Sequence, residues 1–380
     1  MSTVISSRLQ VEDLGRGATF FGTGGGGDRV QGVEALASEV EQGKKVSLVD
    51  VQDLRDDELV ACPFGMGTIA PMTEETQKRM DTLGLSKKLY DKKGMTVAGV
   101  KELEAYTGKK IDALVAIELG GGNALCPAAA AASLNIAAVD GDFVGRAIPE
   151  IPQGTPYLAN MTIYPISSVD AYGDICIIKS ALNTEVAERI GKLISEASFE
   201  GASMCGFLMS GKEAKEVIVR GTISRALEIG AFIRKCQESK QGNLVDALAK
   251  EVGGWVLFKG VVSAKETEDK EGYYWGTHAM KGVDDFSGQT FKIWFKNENH
   301  VSWKNDKVFV TSPDLLTQVN LDTGEPITNT NMKVGDRVGV IGLKSIEAMR
   351  TAKGLGILGP KHFGYDVDYR PIEEVVRLVK

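Results

Sequence analysis

The apolar pattern changes its period once along this chain, and that change limits what the chain can fold into. From Lys45 to about Lys250, short continuous apolar runs alternate with helix-length segments. Such alternation marks a layered α/β domain, because helices joining strands cover both faces of the sheet. VSLVDV, ALVAIEL and IAAVDGD, starting at Val46, Ala113 and Ile136, read as strands buried on both faces. Between the last two, ALCPAAAAASL predicts a small-residue helix. YLANMTIYPI and AYGDICIIKS are further strand candidates ahead of a helix over 185–197. SMCGFLMS then precedes a helical segment over 211–238, interrupted near Gly221. From Gly253 onward the runs GWVLFKGVVSAKE, TFKIWFKNENHVSWKNDKVFVTS and DRVGVIGL alternate apolar with polar residues, and only turns separate them. This predicts a small all-β unit, a barrel or a sandwich. The organisation expected is a layered α/β/α domain over 1–252, a smaller all-β domain over 253–345, and a C-terminal segment over 346–380. That last segment, GLGILGPKHFGYDVDY included, is too apolar to hang free and is expected to pack back on the first domain.

Within this frame the stretch GTGGGGD, residues 22–28, stands out. Glycine loses more freedom on folding than any other residue, so such a run implies positive φ or a backbone pressed close to something. A dinucleotide fingerprint would need a strand before the glycines and a helix after them. Here Val11, Leu14, Ala18 and Phe21 form a helical stripe before the run, and Val30, Val33, Leu36, Ala37 and Val40 form another after it, ended by Gly43. Two readings remain. Either an anion or a polarised carbonyl sits at the start of the second helix, or two helices cross too closely to admit a Cβ.

Bulk properties exclude several classes. A chain of 380 residues with 43% hydrophobic content can bury a large core. No apolar run reaches the roughly 18 residues of a membrane span, and the start lacks a secretory pattern, so a cytoplasmic protein is expected. Five scattered cysteines without a CxxC suggest free thiols. A formal charge of −7 argues against nucleic acid or anionic membrane as partner. A homo-oligomer acting on a small molecule is the expectation.

Candidate chemistry lies at strand ends, where ligands collect in open α/β sheets. Glu118 is read as lying inside the strand ALVAIEL, which runs into GGGNAL and brings Gly120, Gly121, Gly122 and Asn123 to the turn into a helix. Asp140 and Asp142 follow the next strand, with Arg146 and Glu150 just beyond. CPFGMGTIAP supplies a third glycine loop with Gly65 and Gly67. Together with Gly24, Gly25 and Gly26, these suggest a pocket floored by backbone amides and walled by acids. Asp140 and Asp142 serve either as general acid/base groups or metal ligands, or as loop caps paired with Arg146. Glu118 needs a partner or a proton if buried. Cys205, in GASMCGFLMSG, is either a low-pKa nucleophile or a small buried residue. Cys126 begins the Ala-rich helix, where the dipole favours a thiolate. Cys62, Cys176 and Cys236 read as structural. The three histidines are far apart, and only His362, in Gly- and Tyr-rich surroundings, is placed to close over a pocket. Nothing requires a cofactor; a carboxylate-based divalent-metal site stays open.

The motifs FFGTGGGGD, FGMGTIAP, AIELGGGNAL, VDGDFVGRAIPE, MSGKEAKEVIVRGTISRALEIG, FKNENHV, TSPDLLTQVNLDTGEPIT and GPKHFGYDVDY, in this order over almost the whole chain, resemble the S-methyl thiohydantoin desulfurase family. The resemblance implies an α/β N-terminal domain, a β-rich C-terminal domain and removal of sulfur from a thiohydantoin-type ring to leave a hydantoin. Two routes fit the residues. A carboxylate among Glu118, Asp140 and Asp142 activates water, or Cys205 attacks the ring carbon and expels the original thiol. In either, glycine-loop amides serve the ring carbonyl. The competing readings are cyclic-amide hydrolysis of the hydantoinase or oxoprolinase type, and a non-catalytic small-molecule-binding subunit of such an enzyme.

Overall fold

The computed structural model describes residues 3–67, 72–199, 201–240 and 242–378. Its first part is a mixed sheet of eight strands. In spatial order they are Thr3–Ile5, Val46–Val49, Ala137–Val139, Ala113–Leu114, Leu59–Met66, Ala202–Ser210, Ile166–Asp170 and Ile175–Ile178. The strands from Val46–Val49 to Leu59–Met66 pair in parallel, and the remaining pairings are antiparallel. Alternate residues enter opposite cores: Ala61 joins the apolar cluster of Leu14, Leu36, Val100 and Ala129, while Val60 and Cys62 join that of Phe143, Phe207 and Met209. Helices therefore cover both faces.

ALVAIEL is a strand only over Ala113–Leu114, so Glu118 lies in irregular chain beyond the strand end. Tyr157 and Leu158 close a short helix, Thr155–Leu158, and the strand expected in YLANMTIYPI starts only at Ile166. The break foreseen near Gly221 is real: Gly221 adopts φ +73° between the helices Gly211–Val217 and Thr222–Glu238.

The helix Arg8–Phe21 is capped by Ser7, whose side chain accepts from the Gln10 amide, and it buries Val11, Leu14, Ala18 and Phe21. It crosses Thr222–Glu238 with backbones in contact. A Cβ on Gly17 would lie 1.7 Å from the Ala226 carbonyl oxygen, and one on Gly230 would lie 1.7 Å from that of Asp13.

The second part is a seven-stranded antiparallel sheet curled into a half-barrel. Its order is Lys307–Thr311, Glu298–Lys304, Thr290–Lys296, Tyr273–Gly282, Trp255–Lys270, Arg337–Leu343 and Leu315–Asn320. Phe258, Phe291, Ile293, Leu316 and Val340 belong to its buried apolar core. The C-terminal segment straps the two parts. Met349 and Leu358 pack on Val144 and Ile148 of the first part. The buried Asp314 carboxylate of the second part accepts from Arg350 at 2.7 Å, Tyr369 at 2.9 Å and the Ile372 amide at 2.9 Å. Among the described residues, no helix is long and apolar enough to cross a membrane.

Candidate functional site

The two glycine runs meet face to face. A Cβ on Gly26 would stand 2.5 Å from the Gly120 Cα, and one on Gly32 would stand 2.0 Å from the Gly121 carbonyl oxygen. Gly24, Gly26 and Gly27 have φ of +99°, +84° and +84°, which side-chain-bearing residues rarely adopt. The glycine loop is also sewn to the half-barrel. Asn299 N donates to the Thr23 carbonyl at 2.8 Å, Asn329 N to that of Gly24 at 2.8 Å, and Gly26 N to Glu298 Oε1 at 3.2 Å.

At this seam lies a cleft of about 620 Å³. Gly24, Gly25, Gly26, Gly65, Gly67, Glu118, Gly122 and Asn123 line it together with Lys92, Cys126, Lys192, Asn297 and Glu298. A recess of about 40 Å³ opens beside it and shares Glu118, Asn123 and Lys192 with it; Phe64, Ile117, Glu150, Ile151 and Glu188 line the recess alone.

The amide floor expected from the sequence is largely occupied by internal bonds. Gly122 N and Asn123 N donate to the Gly26 carbonyl, and Gly65 N to Asn123 Oδ1. The start of the helix Arg29–Glu41 is capped by its own Asp28, which accepts from Gln31 N at 3.0 Å. The glycines therefore let two loops and the half-barrel approach, and the polar side chains are what face the cleft.

Two of these are buried carboxyls. Glu118 accepts from Asn123 Nδ2 at 2.7 Å and from Ile148 N at 2.6 Å. Burial pushes its pKa up to about 7 against those two bonds. Glu298 is buried, and its Oε2 has no hydrogen-bond partner among the described residues. Burial first, and the Glu118 charge second, raise it well above the usual carboxylate range. Lys192 Nζ donates to the Gly272 carbonyl at 3.3 Å and lies 4.0 Å over the Tyr273 ring. Burial lowers its pKa, opposed by the charges of Glu188 and Glu298. Asn297 Oδ1 accepts from Tyr274 N at 2.8 Å, which leaves its NH2 end for a ligand.

The structure does not bring Asp140, Asp142, Arg146 or Cys205 to this cleft. Asp140 Oδ1 accepts from Ser224 N at 2.8 Å in the first turn of the helix Thr222–Glu238, a structural use. Asp142 is fully buried and holds the Val144 and Gly145 amides at 3.0 and 2.8 Å; burial raises its pKa to about 7. Arg146 is fully buried and spends its donors within the protein: on the carbonyls of Ala147, Pro313, Asp314 and Asn299 and on Thr23 Oγ1. Cys205 lies in the core between sheet and helix, where burial drives its thiol far above the thiolate range. Gly121 packs on Arg29. Cys126 does line the cleft, yet burial raises its thiol to about 11 despite the opposing charge of Lys92. His362 sits on Glu150 Oε2 at 2.8 Å, beside the recess. Among the described residues, no three metal-ligating side chains gather.

Glu298, Lys192, Lys92 and Asn297 were not foreseen. A faint signal exists for Lys192: in the helix Thr184–Ala197, Glu188, Lys192 and Ser195 occupy the buried face while Leu193 is exposed.

A mixed α/β sheet joined to an antiparallel half-barrel, with an acid-lined cleft at the seam, defines the class to which this chain belongs. The chain is a member of the S-methyl thiohydantoin desulfurase-like family. The family model described as S-Me-THD-like, N-terminal domain, matches residues 9–180, and that described as S-Me-THD-like, C-terminal domain, matches residues 182–372. The large sheet nevertheless takes the strand Ala202–Ser210 from beyond that division. A search of curated proteins gave no match. Among solved structures, a structural-genomics crystal structure of a protein from Chromobacterium violaceum superposes with a TM-score of 0.78. It is 22% identical, and the alignment covers 97% of this chain and 100% of that one, a likeness of fold.

Proposed function

We propose that this protein hydrolyses the carbon–sulfur bond of an S-methyl thiohydantoin-like ring, releasing methanethiol and a hydantoin. The observation that carries the reading is the pair of buried carboxyls, Glu118 and Glu298, facing one cleft in a chain of this family. Glu118, held by two hydrogen bonds that favour its charged form, acts as base; Glu298, whose free Oε2 carries the proton, acts as acid.

Water attacks the ring carbon between the two nitrogens. As the C–O bond forms, Glu118 takes a water proton and Glu298 gives its proton to the imine nitrogen. In the collapse the C–S bond breaks, sulfur takes the proton held by Glu118, and the new hydroxyl returns a proton to Glu298 as the carbonyl forms. Both acids end as they began. Asn297 and the Lys192 ammonium hold the ring carbonyl and stabilise charge developing on it.

The test is release of thiol and hydantoin from an S-methyl thiohydantoin by metal-analysed protein, with Glu118→Gln and Glu298→Gln alongside. Equal amounts of both products are expected, with each variant slower by about 10²-fold or more. Ring opening without thiol release would favour cyclic-amide hydrolysis, and binding without turnover would favour a non-catalytic subunit. Either result overturns the proposal.

A further inference from the structure

Lys192 brings its charge to the cleft wall from a buried position, and Glu188, one turn before it on the helix Thr184–Ala197, is buried too. Residues four apart share a helix face, and a glutamate preceding a lysine at that spacing has the favourable order. Both line the recess beside the cleft. The Glu188 carboxyl is fixed from outside its own helix: Oε1 accepts from the Tyr273 hydroxyl at 2.9 Å and Oε2 from Ile151 N at 2.9 Å. Lys192 Nζ stands 4.0 Å from the centre of the same tyrosine's ring and donates to the Gly272 carbonyl at 3.3 Å. Tyr273 thus joins acid and base, its hydroxyl on one and its ring under the other.

A buried ammonium needs a lasting negative charge close by. The titratable groups around Lys192 are Glu188 and Glu196 on its helix, Tyr273, Lys296 and Glu298 on the half-barrel, and Glu118 and Glu150 in the recess wall. Lys296 Nζ, 3.9 Å from the Tyr273 ring centre, is a like charge, and Glu150 is engaged by it and by His362 Nε2 at 2.8 Å. Glu196 is exposed. Glu118 and Glu298 change protonation in the reaction proposed above. Glu188 remains. Burial lowers Lys192 and raises Glu188, and in each case the other's charge is the first to oppose it.

We infer that Glu188 is a positioning residue, the fixed counter-charge that keeps Lys192 an ammonium, and that the Tyr273 hydroxyl holds its carboxylate in place. This rests on the role given to Lys192 in the ring chemistry above. Without that charge Lys192 sheds its proton at lower pH, and the ring carbonyl loses the cation that stabilises it.

The experiment reads the proton on Lys192. Competitive acetylation over a pH series, resolved residue by residue by mass spectrometry, gives the pH at which Lys192 is half reactive; thiol release on the same preparations gives the alkaline limb of kcat/KM. Glu188→Gln keeps the size of the side chain and removes its charge, and both midpoints are expected to fall by about one pH unit or more. Tyr273→Phe keeps the ring and removes the hydroxyl, so a smaller fall is expected. A merely structural role gives the opposite sign, because loosening admits water and returns a buried lysine upward toward its ordinary range. A Lys192 midpoint that is unchanged or raised in Glu188→Gln overturns the inference, and should that variant not fold, the midpoint in Tyr273→Phe decides in the same way. An alkaline limb that stays in place while the labelling midpoint falls overturns it too, since Lys192 then plays no part in the rate. Labelling needs no turnover: a wild type that releases no thiol counts against the ring chemistry, while the midpoints still judge the counter-charge.

Discussion

Gly25 and Glu298 compete for one volume: a Cβ on Gly25 would stand 1.9 Å from Glu298 Oε1. The carboxyl occupies the space that the missing side chain leaves, and the neighbouring Gly26 amide holds it there at 3.2 Å. Gly25→Ala must therefore displace the acid. The expected outcome is a folded protein, destabilised by about 1–3 kcal/mol as in other overpacked sites, with turnover reduced about as far as in Glu298→Gln. Gly356→Ala, where a Cβ meets nothing within 4 Å, is the control and should change neither stability nor rate appreciably. Full turnover in Gly25→Ala would remove Glu298 from the chemistry.

Glu118, with its pKa raised to about 7 by burial, sets a pH dependence of definite sign. As base it must be ionised, so kcat/KM should fall about tenfold per pH unit below about 7 and level off above it. Stability responds in the opposite sense. A carboxyl that binds its proton more tightly folded than unfolded destabilises the fold as pH rises from about 4.5 to about 7, and the loss is constant above that. A pH–rate profile of wild type against Glu118→Gln checks the first part: the acid limb should vanish in the variant together with most of the rate. A limb that persists unchanged belongs to another group.

The fold was legible because it is written in periodicities. The stripe Val11, Leu14, Ala18 and Phe21 could only be a helix, and the switch at Gly253 could only begin a unit without helices. The site was half legible. Glu118 and Asn123 announced themselves as polar residues beside a glycine turn, and the structure places both in the cleft wall. Glu298 did not, because it is brought to Gly25 by the docking of the half-barrel on the sheet, 273 positions away along the chain by their numbering. No local spacing encodes that approach. Asp140 and Asp142 are absent from the cleft wall for a related reason. A carboxylate after a buried strand serves equally well to cap the next helix or to hold a turn, and only the positions of Ser224, Val144 and Gly145 decide which.

Cys205 offers a clean separation of the two mechanistic routes. Its thiol is fully buried, 3.9 Å at Cβ from the position a Cβ on Gly99 would take, and it is absent from the cleft wall. Cys205→Ala should lose about 1–2 kcal/mol of stability from the small cavity and retain kcat within about twofold. Denaturant titration and thiol-release kinetics on one preparation measure both. Loss of activity with stability intact would restore the covalent route.

Arg146 is where the two halves of the molecule depend on one side chain. Its guanidinium reaches Thr23 Oγ1 at 3.1 Å and the Ala147 carbonyl at 2.9 Å in the first part, and the carbonyls of Asn299, Pro313 and Asp314 at 3.0, 3.1 and 3.2 Å in the second. Burial lowers its pKa to about 10, opposed by the charges of Glu298, Asp314 and Glu118, so it stays charged at neutral pH. Arg146→Met leaves these acceptors buried without a donor and is expected to cost about 3–5 kcal/mol. Arg146→Lys keeps the charge but replaces a rigid five-donor fork with a three-donor point charge. It should recover only a minor part of that loss. If Arg146→Lys melted with the wild type, the seam would need only a positive charge there, and the fork of hydrogen bonds would be dispensable to the joining of sheet and half-barrel.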